Sequence, residues 1–137
     1  ITRFRAVQRD DKWVTEDMWA TKEVSLQMSN AVEINGVLYG LSHLSSGQYF
    51  ALDLEDGKVL WKSEPRQAEN AAVVRAGDTI FSLQNDAELV VMKANKTALN
   101  ILRRYPVAMG ETWAQPAIAG NRFIVKDVSN LTLWSLN

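Results

Sequence analysis

The stretch ALDLEDGKVLW, residues 51–61, sets an apolar run before an acidic turn containing Gly57 and ends a second apolar run on Trp61. Such a pattern reads as a tight β-hairpin, because Gly takes positive φ at little cost and Asp bonds its own backbone. A side chain as large as Trp at the end of that hairpin has to be covered by something outside it. Other runs share the character: EINGVLYGL (33–41), GQYFALDL (47–54), KVLWKS (58–63), DTIFSL (78–83), ELVVMK (88–93) and NRFIVKD (121–127). They are short, rich in β-branched and aromatic residues, and bounded by Gly, Asn, Asp or Ser, as strands are. NG at 35–36, DG at 56–57, AGD at 76–78 and AGN at 119–121 mark turns. No long stretch of helical period interrupts them, so the expected class is all-β.

The runs repeat. Gly36, Gly77 and Gly120 are spaced by 41 and 43 residues, and each lies between a weaker apolar strand and a stronger one. A third strand follows each time: QYFALDL, ELVVMKA and NLTLWSL. Shifting the chain by 40 lays Ala51–Trp61 over Val91–Ile101, where the hairpin is degraded and Ile101 stands for Trp61. A period of about 40 residues with four short strands each is that of β-propeller blades. Trp61 then fills the wedge between neighbouring blades, which widens toward the rim. An ordinary sandwich hairpin with a core Trp is the alternative, and the repeats favour the propeller.

The totals bound the function. The chain has 137 residues, 47% hydrophobic and 23% charged, which is enough for one globular domain with a core. Fifteen basic and 16 acidic residues give a net charge of -1, without the basic excess that a nucleic-acid surface needs. The pair Arg103 and Arg104 reads as a solvated strand edge. There is no Cys, so disulfides, thiolate metal sites and Cys nucleophiles are excluded. No apolar run reaches the ~18 residues of a membrane span. The first residues carry no signal peptide, and Ile1 in place of an initiator Met points to processing or to a piece of a longer chain.

FALDLEDGKVLW (50–61) resembles the repeat of the pyrroloquinoline-quinone-like (PQQ-like) β-propeller family, in which Ala51, Leu52, Asp53, Gly57 and Trp61 match the conserved spacing. TWAQPAIAGNRFIVKDVSNLTLWSLN (112–137), with Trp113 and Trp134, resembles the C-terminal end of such bacterial propellers. The resemblance implies a propeller fragment of about three four-stranded blades in one domain, 1–137. Residues 1–19 would form the outer hairpin of a blade, 22–63 and 68–105 two blades, and 112–137 an incomplete last blade lacking its fourth strand. It also implies a periplasmic or extracellular bacterial protein, because the family holds outer-membrane assembly lipoproteins and quinoprotein dehydrogenases. An open wedge of blades exposes strand edges and apolar faces, so the chain is expected to associate with itself, with the rest of a propeller or with other proteins.

Chemistry is sparsely marked. The family's dehydrogenases hold PQQ with calcium, using carboxylates, an Asn, a stacking Trp and a vicinal Cys pair; that pair is absent and no ligand set can be placed. No cofactor and no catalytic residue is therefore predicted, and PQQ with calcium belongs to the alternative of a dehydrogenase fragment. Asp53 reads as a turn residue holding hairpin backbone. His43, the single His, sits among Ser42, Ser45 and Ser46 without a nucleophile motif or a second ligand and reads as structural. Asp86 and Glu88 fit a solvated turn and an edge charge better than calcium ligands. The sequons at 95–97 and 130–132 read as chance matches. The polar connector WKSEPRQAEN (61–70) reads as an exposed inter-blade loop, and Arg66, Gln67, Glu69 and Asn70 are its candidates for partner contact. The first expectation is thus a non-catalytic module for protein binding or assembly; a dehydrogenase fragment and a self-assembling structural unit are the alternatives.

Overall fold

The structure is a computed structural model and describes residues 1–136. A two-stranded hairpin, β1 (Thr2–Arg9) and β2 (Lys12–Ala20), precedes three antiparallel sheets. Blade I contains β3 (Ala31–Ile34), β4 (Val37–Ser42), β5 (Gln48–Asp53) and β6 (Val59–Lys62). Blade II contains β7 (Ala71–Ala76), β8 (Thr79–Gln84), β9 (Glu88–Lys93) and β10 (Ile101–Pro106). Blade III contains β11 (Ala117–Ala119), β12 (Arg122–Lys126) and β13 (Leu131–Ser135). Strands pair in chain order throughout, as in a meander. Two-residue turns set the register, the clearest being Asn35–Gly36, both at positive φ between the paired Ile34 and Val37.

Blades I and II are buried on both faces, and strand alternation divides their side chains between two neighbours. In β5, Tyr49 and Ala51 join Val37, Tyr39 and Leu41 against Val73, Ile80 and Val90 of blade II. Phe50 and Leu52 point the other way, onto Val24 and the side of the N-terminal hairpin. Phe81, Leu83 and Leu89 of blade II meet Phe123 and Val125 of blade III. The run YFAL therefore lacks a polar alternate because it has no solvent face.

Trp61 is covered by the next blade. It pairs with Ala51 across the hairpin, and its Nε1 donates to the Asn95 carbonyl of blade II at 2.8 Å. Trp19 makes the same bond one blade earlier, to the Leu54 carbonyl at 3.0 Å. Its indole lies over Gly57, where a Cβ would sit 2.6 Å from the ring. The Asp-x-x-x-Gly part of the repeat is thus the seat for the preceding blade's Trp. Asp53 shapes that seat, since its Oδ1 accepts from the Glu55 N–H at 2.8 Å and its carbonyl from the Gly57 N–H at 3.0 Å. Asn95 repeats the device, with its Oδ1 accepting from the Thr97 N–H at 2.8 Å. The third instance is lost: Ile101 has no indole to offer blade III.

The ends of the wedge are open. Among the described residues, β13 pairs only with β12 and β1 only with β2. Leu131 is 72% and Leu133 57% exposed at one end, Phe4 61% and Trp13 72% at the other. Turns β3–β4 and β5–β6 lie at one face, joined by Leu54 N–H to the Gly36 carbonyl at 2.9 Å. Turns between the second and third strands and the inter-blade connectors lie at the opposite face, called the loop face below. Gly57→Ala should destabilise the chain by about 2 to 4 kcal/mol, because it combines positive φ with displacement of Trp19. Gly36→Ala, with open space around its Cβ, should cost about 1 kcal/mol. Paired thermal melts read the difference.

Candidate functional site

On the loop face each turn between second and third strands is tied to its neighbouring connectors. The His43 N–H donates to the Ser25 carbonyl at 3.0 Å, the Asn85 N–H to Asn70 at 3.0 Å, and the Thr112 N–H to Asn85 at 3.1 Å. In blade II this turn is three residues, 85–87. In blade I it is five, 43–47, with a single 3₁₀ turn at Leu44–Ser46. The longer turn leans against the following connector. Arg66 N–H donates to the Ser45 carbonyl at 3.3 Å and Gln67 N–H to the Gly47 carbonyl at 3.0 Å. Between them opens a groove of about 490 Å³ lined by Gln27, His43, Ser46, Arg66, Ala68 and Glu69.

The groove is built on unusual backbone. Ser45 and Ser46, in the β4–β5 turn, and Arg66, in the connector after β6, all have positive φ (56°, 60° and 62°). Each such residue costs on the order of 1 kcal/mol or more and persists only where its surroundings hold it. Gly47, at φ 95°, lies so close to the connector that a Cβ would be 1.8 Å from the Ala68 carbonyl oxygen.

Of the four connector residues singled out by sequence, Arg66 and Glu69 line the groove and are exposed. Gln67 is anchored instead: its Oε1 accepts from Arg104 Nη2 at 2.8 Å. Asn70 is 5% exposed, which corrects its reading as a contact residue; its carbonyl accepts from the Asn85 N–H at 3.0 Å and its N–H donates to the Asn85 side-chain Oδ1 at 3.0 Å. Arg104 is likewise no bare edge charge, because its Nη1 also pairs with Glu88 Oε2 at 2.5 Å. Asp86 accepts from the Glu88 N–H at 3.3 Å. His43, read from sequence as structural, lines the groove, and its Nδ1 donates to the Ser25 carbonyl at 3.0 Å, leaving Nε2 as the uncommitted nitrogen. The signal that could have found the groove is the two-residue excess of 43–47 over 85–87 once the repeats are aligned. Trp113 is 49% exposed with its Nε1 on Glu111 Oε2 at 3.0 Å, and Trp134 Nε1 donates to the Val107 carbonyl at 3.0 Å.

Beneath the connector lies a buried polar cluster. Tyr49 Oη donates to Ser82 Oγ at 2.9 Å and accepts from Gln84 Nε2 at 2.9 Å. Burial pushes the Tyr49 hydroxyl up to about 12, against the opposing pull of those two bonds. The phenol is neutral near pH 7 and serves as a core strut. Ser42 is buried, and its Oγ accepts from the Ser25 and Leu44 N–H groups at 3.1 and 3.3 Å. It is therefore committed to backbone rather than to His43. Among the described residues no group of three or more His, Cys, Asp or Glu side chains is placed to hold a metal ion.

Two variants test this geometry. Gly47→Ala should cost about 3 kcal/mol and displace Ala68, and hydrogen exchange should quicken at 43–47 and 64–68. Tyr49→Phe should cost about 1 to 2 kcal/mol at neutral pH by leaving Ser82 and Gln84 unpartnered. Folding raises the Tyr49 value from 10.0 to about 12. Its contribution is therefore complete below pH 10 and lost as pH rises through about 12, by ~2 to 3 kcal/mol. Chemical denaturation across that window should show a shallower alkaline decline in Tyr49→Phe.

The model of one protein family, described as outer membrane protein assembly factor BamB, matches residues 46–137. Among solved structures, BamB from Moraxella catarrhalis superposes with a TM-score of 0.71 at 14% identity, over 98% of this chain and 43% of that one. This chain therefore spans less than half the length of that relative. The computationally designed proteins Ika4 and Ika8 give TM-scores of 0.48 and 0.44 at 12% identity, covering 87% and 95% of this chain and 100% and 57% of theirs. No curated protein sequence matches the chain. Among the described residues no helix is long and apolar enough to cross a membrane. The repeat at 51–61, the blades built on it and the family match agree: the chain belongs to the BamB family of PQQ-like β-propellers.

Proposed function

We propose that this chain is a non-catalytic protein-binding and assembly module, a sector of a BamB-like propeller exported to the bacterial periplasm. It contacts other proteins through its loop face and further propeller, from its own kind or from the same parent, through its ends. The observation that carries this reading is the state of those ends. Leu131 and Leu133 at one end and Phe4, Trp13 and Met18 at the other are exposed on strands whose outer edges lack partners among the described residues. Contiguous apolar side chains at a sheet edge are a cost in water that association removes. The intact interfaces between blades support this reading, because there apolar sheet faces are buried against one another. The family description, an assembly factor of the outer membrane, supports both the assembly role and a location in the envelope.

Light scattering behind a sizing column tests the reading of the ends. The expected mass is that of two or more chains, unchanged by calcium and the quinone. A mass of one chain, with a cooperative thermal melt, would overturn it.

A further inference from the structure

We infer that the groove beside the 43–47 turn is a binding site for an extended peptide segment of a partner protein that carries a carboxylate, received by Arg66. The inference rests on the proposal that the loop face binds protein, and it names the chemistry recognised there.

The internal repeat supplies the comparison. Blade II makes the corresponding turn with three residues, Asn85–Ala87, of which Ala87 has positive φ (70°), and holds Asn70 through both the backbone and the side chain of Asn85. Blade I reaches the same end with two more residues, and with Ser45, Ser46 and Arg66 all in the left-handed region. Blade II closes the same turn with two residues fewer and with one left-handed non-glycine residue instead of two, so the added length and the second such residue are not needed to fold a blade. Positive φ at Arg66 carries its side chain to the exposed groove wall while its N–H stays bonded to Ser45.

The lining groups are uncommitted. Among the described residues the Arg66 guanidinium has no hydrogen bond or ion pair, and neither has the Glu69 carboxylate, although both line the same groove. Two opposite charges within one groove that do not neutralise each other leave both free for a ligand. Arg presents a planar fork of donors that fits a carboxylate. Glu69 accepts from N–H groups, which an extended backbone offers at regular intervals. His43 Nε2 and the Gln27 and Ser46 side chains add groups of both kinds. A peptide with one acidic residue satisfies this set; a basic one would set a cation against Arg66.

The test uses the 137-residue chain and an acetylated, amidated Gly-Glu-Gly-Glu-Gly peptide, with counterparts carrying Gln or Lys in place of Glu. Calorimetry gives affinity, and hydrogen–deuterium exchange gives location in any assembly state. The Glu peptide is expected to bind and to protect residues 43–47 and 64–69. Arg66→Asn, which tolerates positive φ, should weaken it at least tenfold, and Arg66→Lys by less. Arg122→Gln, on an exposed strand residue outside the groove, should leave it unchanged. Equal binding of the Gln peptide would keep the loop face as a binding surface and overturn the carboxylate assignment. No protection of 43–47 by any of the three peptides would overturn the site itself, while the mass measurement on the ends stands independently. If Arg66→Asn misfolds, Arg66→Lys decides: affinity equal to that of the unaltered chain would overturn the role of the guanidinium fork.

Discussion

A four-stranded blade has two apolar faces and can bury neither by itself. Everything else in this chain follows from that constraint. Tyr49 and Ala51 need blade II, Phe50 and Leu52 need the hairpin side, and the central strands carry apolar residues in succession because no face meets solvent. The structural unit is the interface between blades rather than the blade. Stability then accumulates along the chain as a sum of neighbour terms, as in other repeat proteins.

Burial alone does not fix how two sheets are set against each other; the Trp contacts do. An indole donating to a carbonyl at 2.8 or 3.0 Å, with its ring on a glycine or in the seat a glycine occupied, locates the rim of one blade on the next. In blade I seat and Trp lie in one hairpin, so that blade both receives Trp19 and gives Trp61. The loop face is organised differently. There the backbone bonds between turns and connectors carry the geometry, and side chains are free to diverge between repeats.

That division explains how much was legible in the sequence. Strand alternation, NG and DG turns and the spacing of Gly36, Gly77 and Gly120 are local signals, and they led to strands at nearly their observed positions. The groove was not legible as a unit, because Gln27, His43, Arg66 and Glu69 come from three separate segments whose meeting depends on the fold. Asn70 sits in a stretch as polar as any surface loop, yet it is the last residue before β7 and is trapped against Asn85. Gln67 and Arg104 are 37 residues apart, and their contact crosses an inter-blade gap that no local pattern encodes. The length of the 43–47 turn was visible, but its meaning appears only against the shorter turn of blade II.

Ile101 leaves the joint between blades II and III without an indole at the rim. The two preceding joints each have a fixed pivot, so their opening angle is set. The third is held mainly by the aliphatic and aromatic contact of Phe81, Leu83 and Leu89 with Phe123 and Val125, and by Trp134 on Val107. The Trp134 bond to the Val107 carbonyl, at 3.0 Å, is as directed as the other two, but it runs from blade III back to the chain just after blade II. The joint is therefore pinned in the opposite sense from the other two, by an indole that the later blade supplies to the earlier one.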